Sequence, residues 1–203
     1  MYFISLKTDF RGYMACMLYG FYLGYLQFVY TLWCKFKMKL WKVKYESGCS
    51  FRGKTLFYRF PNTTIKIGAN CRFNSNSRFN FRGINHSCIL QTSKGGNIII
   101  GNNCGFSGVS IVSSCGVTIG NCVLCGANVQ IGDRNDHEDI YPQFKPLPIT
   151  IGDGVWIGMN SVVMRGVSIG ENTIIGANSI VTKDIPANVV AAGNPCKVIK
   201  LLN

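Results

Sequence analysis

From residue 149 onward the chain places an apolar side chain at every sixth position. Ile151, Ile157, Val163, Ile169, Ile175 and Val181 keep this register without a miss, and Val155, Ser161, Val167, Thr173, Ser179 and Ile185 form a second set of small or β-branched residues on the same spacing. An earlier block obeys the same rule, with Ile111, Val117, Val123 and Val129 in one register and Ile119, Cys125 and Ile131 in the other. Helices repeat their faces every 3.6 residues and strands every 2, so neither element alone produces a period of six. A short strand followed by a turn does. Each hexad supplies two inward side chains around one outward residue, then a corner of Gly or Asn that tolerates positive φ. Gly152, Gly158, Gly170 and Gly176 follow four of the aliphatic positions, where the corner falls. Three such faces close a triangular coil of about 18 residues, and coils stack at the strand spacing of about 4.8 Å. The pattern predicts an all-β solenoid, a parallel β-helix, over residues 46–203. Cys125 takes an inward position and reads as a small core residue.

The hexads stop between Ile131 and Ile149. The insertion 132–148 carries Asp133, Arg134, Asn135, Asp136, His137, Glu138 and Asp139, so it is polar, loop-like and locally acidic. Loops on a rigid solenoid are where binding groups gather. His137 is one of only two histidines in the chain, the other being His86, which makes it the candidate for chemistry near neutral pH.

The N-terminal segment, residues 1–45, has a different pattern. Gly12 to Cys34 is an uncharged run of 23 residues, flanked by Arg11 and by Lys35, Lys37, Lys39, Lys42 and Lys44. It reads as a helix, long enough to span a bilayer. Tyr13, Tyr22, Tyr25, Phe28, Tyr30 and Trp33 suit the headgroup region better than the hydrocarbon centre, and the lysines would attract anionic lipid. A surface or shallowly inserted helix is therefore the favoured reading. A single spanning helix, with Gly20 and Gly24 as a small-residue pair, and a helix packed on its own oligomer are the alternatives.

Charge and cysteine content narrow the picture. The 203 residues carry a net +12, and residues 1–60 hold ten of the 21 Lys and Arg against Asp9 and Glu46. With charged residues at 15% and apolar ones at 47%, a disordered polar chain is excluded. The basic arm is read as lipid-directed and not as a nucleic-acid site, since no recognition motif accompanies it. Ten Cys without a cleavable signal favour a reducing, cytosol-facing location. Cys122 and Cys125 have half the spacing of a zinc site, but no second ligand pair lies downstream.

The stretch from Pro148 to Pro186, reading PITIGDGVWIG at its start and GANSIVTKDIP at its end, and the closing run Ala192 to Ile199, AGNPCKVI, resemble the hexapeptide-repeat acyltransferases. The resemblance covers roughly residues 60–203. Its nearest subgroup comprises the sugar O-acetyltransferases that modify surface polysaccharides and their precursors, although Cys196 replaces the usual Ala. It implies a left-handed coil, a homotrimer, acetyl-CoA as co-substrate and acetyl transfer to a sugar or glycan hydroxyl. His137 would be the general base, because an imidazole can accept the alcohol proton as the oxygen attacks the thioester. Asp136 or Asp133 would fix its tautomer. The Asp-Arg-Asn-Asp-His-Glu run departs from the commoner Asp-x-Asp-x-His-Pro, which leaves both carboxylates open as partner. The thioester is already reactive, so no metal is needed. A backbone N–H near Ser161 of a neighbouring subunit would meet the developing oxyanion. By the same resemblance, Trp156 and Gly158 would hold the pantetheine, Gly176, Ala177, Thr182 and Lys183 the lower arm, and Lys197 or Lys200 the phosphates. Asn85 and His86 read either as acceptor-binding residues or as a turn Asn with a hydrogen-bonded His. The expected enzyme is an O-acetyltransferase at the inner face of the cytoplasmic membrane, held there by residues 1–44. N-acetylation of an amino sugar and a non-catalytic membrane-attached β-helix scaffold are the rivals. A carbonic anhydrase would require three His around zinc.

Overall fold

A computed structural model describes residues 9–134 and 145–202. His137 and Asp136 therefore lie outside the described residues. Helix α1, Phe10–Leu40, comes first. Everything after it winds into a three-sided prism whose faces are three sheets.

The first face stacks Lys44–Tyr45, Thr64–Ile67, Asn97–Ile100, Val117–Ile119, Ile149–Ile151 and Ser168–Ile169. The second stacks Ser50–Arg52, Arg72–Asn74, Gly105–Ser107, Leu124–Ala127, Trp156–Ile157, Ile174–Ile175 and Val189–Ala192. The third stacks Leu56–Tyr58, Ile89–Thr92, Ser110–Ser113, Gln130–Gly132, Val162–Val163 and Ile180–Val181. These neighbours pair in parallel and in register, for example Ile98, Val117 and Ile149 on the first face. Only the final strand, Lys197–Leu201, turns back antiparallel against Val189–Ala192.

The register puts like beside like inside the prism. Phe51, Phe73, Phe106, Cys125, Ile157, Ile175 and Ala191 form one inward column on the second face. Phe51 and Phe73 stack with centroids 5.1 Å apart, and Phe73 and Phe106 at 5.0 Å, an offset aromatic contact that adds to simple burial. Cys125 sits beneath Phe106, 4% exposed, as a core residue should, and burial pushes its thiol pKa up. Every residue named above in the two apolar registers of the repeat is buried. The corners carry asparagines at positive φ, including Asn70, Asn103, Asn128, Asn160, Asn172 and Asn178. They stack into amide ladders such as Asn128 to Asn160 to Asn178, at 3.2 Å each. The turn requirement thus also satisfies the exposed edge with hydrogen bonds.

Two departures from the hexad reading matter. The repeat breaks a second time, between Asn74 and Ile89, where the chain leaves the second face and includes a 3₁₀ turn at Ser77–Phe79. Polar residues over this stretch do not interrupt a detectable run of hexads, so the sequence pattern gave no warning. The first coil also begins early, at Lys44, so the prism starts within four residues of the helix.

Helix α1 lies across the open N-terminal end of the prism. The Asp9 side chain caps it by accepting from Gly12 N–H at 2.9 Å, and Lys37 and Lys39 occupy its last turn, the favourable end of the helix dipole. Cys34 and Met38 are fully buried, the Phe51 N–H donates to Thr31 Oγ1 at 3.0 Å, and Arg52 Nε donates to Gln27 Oε1 at 2.8 Å. Gln27, Thr31, Cys34 and Met38 share one helical stripe. On the opposite stripe Leu18, Phe21, Tyr25, Phe28, Leu32, Phe36 and Leu40 are exposed. No helix among the described residues is long and apolar enough to cross a membrane. The packed stripe rests on its own chain's first coil.

Candidate active site

The site residues expected from the sequence fall on two edges of the prism. On the edge between the second and third faces lie Gly158 with Ser161, one coil later Gly176 with Ala177, and further up Asn85 and His86 from the excursion after Asn74. Trp156 stands beside this edge on the second face, half exposed at 52%. The Asn128 amide ties the parts together. Its Oδ1 accepts from Asn85 N–H at 3.0 Å, and its Nδ2 donates to the Gly83 carbonyl at 2.9 Å and to Asn160 Oδ1.

His86 Nδ1 hydrogen-bonds the Asn85 side-chain oxygen. That oxygen can only accept, so Nδ1 is the donor of this bond. The two residues follow the turn at 81–83.

Gly158 shows how closely the edge is stacked. A Cβ there would sit 2.4 Å from the Ala177 backbone nitrogen of the next coil, so coil stacking demands glycine; Gly158 itself is buried beneath that coil, and the open part of the edge is at Gly176 and the exposed Ala177. Ser161 behaves differently from its neighbours. It is fully buried, its hydroxyl donates to the Gly176 carbonyl at 3.0 Å and accepts from Ser179 N–H at 3.3 Å. Its side chain belongs to the core, and only its backbone is left for a ligand.

The other edge, between the third and first faces, carries Thr182 and Lys183, both exposed, and the roots of the insertion. Asp133 is fully buried there. Its carboxylate accepts from Ser113 Oγ at 2.7 Å and from the N–H groups of Ser114, Cys115 and Gly116 at 2.6, 2.9 and 2.7 Å. The Asp133 carbonyl also accepts from Leu147 N–H at 2.9 Å, which pins the two roots of the insertion together. Among the described residues Asp133 thus serves the turn 113–116. Lys197 and Lys200 are on the exposed final strand of the second face, where Lys197 pairs with Ala192, the residue that packs on Gly176 of the first edge.

One chain therefore does not gather the whole predicted constellation among its described residues. The two edges are separated by the third face, a strand and its turn on the order of 15 Å wide. The cysteine pair does not converge either: Cys122 is an exposed corner residue at φ 57°, whereas Cys125 is buried. No cluster of three or more metal-ligating side chains occurs among the described residues.

Sequence reasoning missed one feature, a recess of about 330 Å³ on the second face between Arg72 and Trp156. Its walls come from four strands spread over 85 residues of sequence, Arg72 to Trp156. Counting coils would have aligned Arg72, Gly105, Leu124 and Trp156, but the two insertions disrupt that count.

The chain was compared with known proteins. The family described as bacterial transferase hexapeptide (six repeats) matches residues 148–183. The galactoside O-acetyltransferase of Escherichia coli K12 is 48% identical over 117 residues, 55% of this chain and 57% of that protein. The polysialic acid O-acetyltransferase of Escherichia coli O1:K1 / APEC is 40% identical over 118 residues, 55% of this chain and 38% of its own. A solved galactoside acetyltransferase in complex with coenzyme A aligns at 34% identity and a TM-score of 0.50, covering 79% of this chain and 65% of that one. Residues 148–183 thus carry the hexapeptide transferase signature, and the chain is similar to acetyltransferases of the hexapeptide-repeat family over about half its length. Its prism is accordingly the left-handed parallel β-helix of that family, an exception to the usual right-handed crossover. The chain spans about half the length of the curated relatives it matches. Within it, the family signature contains Trp156, Gly158, Ser161, Gly176, Ala177, Thr182 and Lys183, whereas Asn85, His86, His137 and Lys197 lie outside it.

Proposed function

We propose that this hexapeptide-repeat protein transfers acetyl from acetyl-CoA to a hydroxyl of a sugar, glycolipid or polysaccharide precursor. The observation that carries the reading is the open edge at Gly176 and Ala177, stacked on the buried Gly158 beside Trp156 and lying inside the family signature. Backbone groups on that edge are free of side-chain cover, which suits the extended, amide-bearing pantetheine arm of CoA. Lys183 and Lys197 would meet its phosphates.

His137 would take the proton from the acceptor hydroxyl as that oxygen attacks the thioester carbonyl. The tetrahedral oxyanion would be met by a backbone N–H near Ser161, and the CoA thiolate would leave and regain a proton from the imidazolium. Asp136 would hold the imidazole, and Asp133 would fix the root of the loop that carries it. Because the Gly158 edge and the Thr182–Lys183 edge are a face apart, the complete site would form where two copies meet, as in a homotrimer. Asn85 and His86 would face the acceptor from the upper end of the Gly158 edge.

The exposed apolar stripe of α1, with Lys35, Lys39 and Lys42 nearby, supports attachment to an anionic membrane surface at the cytoplasmic side. The Arg52 to Gln27 bond sets the helix on the same face as the recess, which would present a lipid-linked acceptor to the site.

The test is transfer of labelled acetyl from acetyl-CoA to hydroxyl and amino sugars. Hydroxyl acceptors should be labelled, His137→Ala should lower kcat by a factor of about 10² to 10⁴, and sedimentation should give an unchanged trimer. Transfer to amino sugars alone would replace the reading by N-acetylation, and absence of CoA release with any acceptor would leave the scaffold.

A further inference from the structure

The recess on the second face exists because one side chain is missing from a column. Ser50, Arg72, Gly105, Leu124, Trp156 and Ile174 follow one another in strict register at the same outward position. Only Gly105 lacks a side chain among them, and the gap between Arg72 and Leu124 opens there. The absence is not imposed by the backbone: a Cβ at Gly105 would meet only the flexible end of Leu124, at 2.9 Å. This distinguishes Gly105 from Gly158, whose Cβ would strike backbone.

The walls of the gap are chemically sorted. Trp156 presents a half-exposed indole at the lower end, a flat apolar platform of the kind that holds the face of a sugar ring. Along one side run Asn74 and Ser107, with Asn74 Nδ2 donating to Ser107 Oγ at 3.1 Å, and along the other Asn70, whose amide donates to Asn103 at 3.3 Å. These are neutral groups of the type that read hydroxyls. The upper end holds the Arg72 guanidinium, exposed and engaged in no hydrogen bond or ion pair with the described residues.

Charge on this face is of one sign. Its only other outward ionisable group among the described strands above the recess is Arg52, which is occupied by Gln27 and lies over the Phe79 ring at 5.9 Å. Burial, and then the charge of Arg72, hold the Arg52 pKa below its ordinary value. The ion pair nearest in the chain, Glu46 to Lys66 at 3.7 Å, lies on the first face. Arg72 and Trp156 are three coils apart, about 14 Å at the strand spacing, which is the span of a short oligosaccharide.

We infer that this recess binds an acidic saccharide, with its carboxylate on Arg72 and a pyranose face on Trp156, in place of the pantetheine that the family resemblance assigns to that indole, so that the acceptor class is an anionic glycan. The inference rests on the acetyltransferase reading for the word acceptor, and on the geometry alone for the binding site. A planar guanidinium matches a carboxylate with two parallel hydrogen bonds, and a neutral sugar would leave it unanswered.

The experiment compares uronate-bearing and sialate-bearing oligosaccharides with their carboxyl-reduced counterparts, which keep every hydroxyl and lose only the charge. Binding is followed by Trp fluorescence and by saturation-transfer NMR on the full chain, and acetylation by label transfer. At least one acidic glycan should bind about tenfold or more tightly than its reduced form, a factor that follows from a charge-assisted pair. Arg72→Gln should remove that preference while leaving the KM for acetyl-CoA within twofold, and Arg72→Lys should restore part of it. Gly105→Leu should block binding of both forms with an unchanged melting temperature. Equal binding of every acidic glycan and its reduced partner would overturn the inference, as would an Arg72→Gln effect confined to acetyl-CoA, which would assign the guanidinium to a CoA phosphate. Equal acetylation of both forms would sink this inference and leave the enzyme standing. A charge-dependent binding preference without transfer to any acceptor would do the reverse.

Discussion

Replacing Asp133 by Asn should loosen the root of the insertion while barely changing its shape. The carboxylate receives four donors, three of them backbone N–H groups, at 2.6 to 2.9 Å and without solvent contact. One oxygen accepts from Ser113 Oγ, Cys115 N–H and Gly116 N–H, and the other from Ser114 N–H. The best the Asn carbonyl can do is keep the first set, which turns its NH₂ toward the Ser114 N–H, donor against donor. Losing one charge-assisted bond and stranding one buried N–H costs about 1.5–3 and 1–3 kcal/mol respectively. Partial relaxation brings the sum to about 2–4 kcal/mol. For a chain of this size each kcal/mol moves the melting temperature by about 2–4 °C, so a fall of roughly 5–15 °C is expected. Ser113→Ala leaves the other three donors to Asp133 paired but also takes away the acceptor of the Asn97 N–H at 3.2 Å, so it should cost about 1–3 kcal/mol. Calorimetry on both variants, with circular dichroism to verify the β-helix, measures the difference. If Asp133→Asn melts within 2 °C of wild type, the four-donor account of this corner is wrong.

Three further expectations follow from the packing. Met38→Ala, at a fully buried contact between α1 and the first coil, should lose about 2–5 kcal/mol in a denaturant titration; a loss under 1 kcal/mol would mean the helix does not seal the prism. That seal also makes deletion of residues 1–44 a poor test of membrane attachment, since it would uncover the Phe51 stack. Phe21→Ser with Phe28→Ser and Phe36→Ser, all on the stripe facing away from the prism, should instead abolish co-sedimentation with anionic vesicles at unchanged melting temperature, and retained sedimentation would contradict the membrane reading. The Asp153 carboxylate accepts from the Asn121 N–H at 2.7 Å and its side chain at 3.1 Å, which holds its pKa below the ordinary 3.8. Its contribution to stability is complete above the ordinary carboxylate value and lost as the pH falls through the lower folded value. Wild type and Asp153→Asn should therefore converge in acid, and a gap that widened there would reverse the sign of the argument.

The site was legible in part, and the reason differs from residue to residue. Trp156 with Gly158 and Gly176 with Ala177 stand one coil of three hexads apart, so their shared edge follows from counting sixes. Ser161 stands in the inward register of the repeat, and the family resemblance asks only for a backbone N–H near it; the neighbouring coil shows what its hydroxyl does there, donating to the Gly176 carbonyl. Asp133 looked like a possible imidazole partner from its place in an acidic run, and its turn-capping role depends on Ser113 to Gly116, which the sequence sets 17 to 20 residues away. The excursion after Asn74 was invisible because a break between short repeats leaves no periodic signal.

What the chain's own order of residues determined is the solenoid. A six-residue period with Gly or Asn at each corner closes into three faces whatever surrounds it, because each hexad needs only the turn next to it and the same hexad one coil away. The uncharged aromatic run likewise had to be a helix with an apolar surface to place. What the tertiary structure alone decided is which stripe of that helix seals the prism and which stays bare. It also brought Arg72 and Trp156 to opposite ends of one recess, and set the two halves of the expected site on different edges. These depend on the insertions, which shift the coil count by amounts no periodicity records, and on distances across coils, where residues far apart in sequence become neighbours.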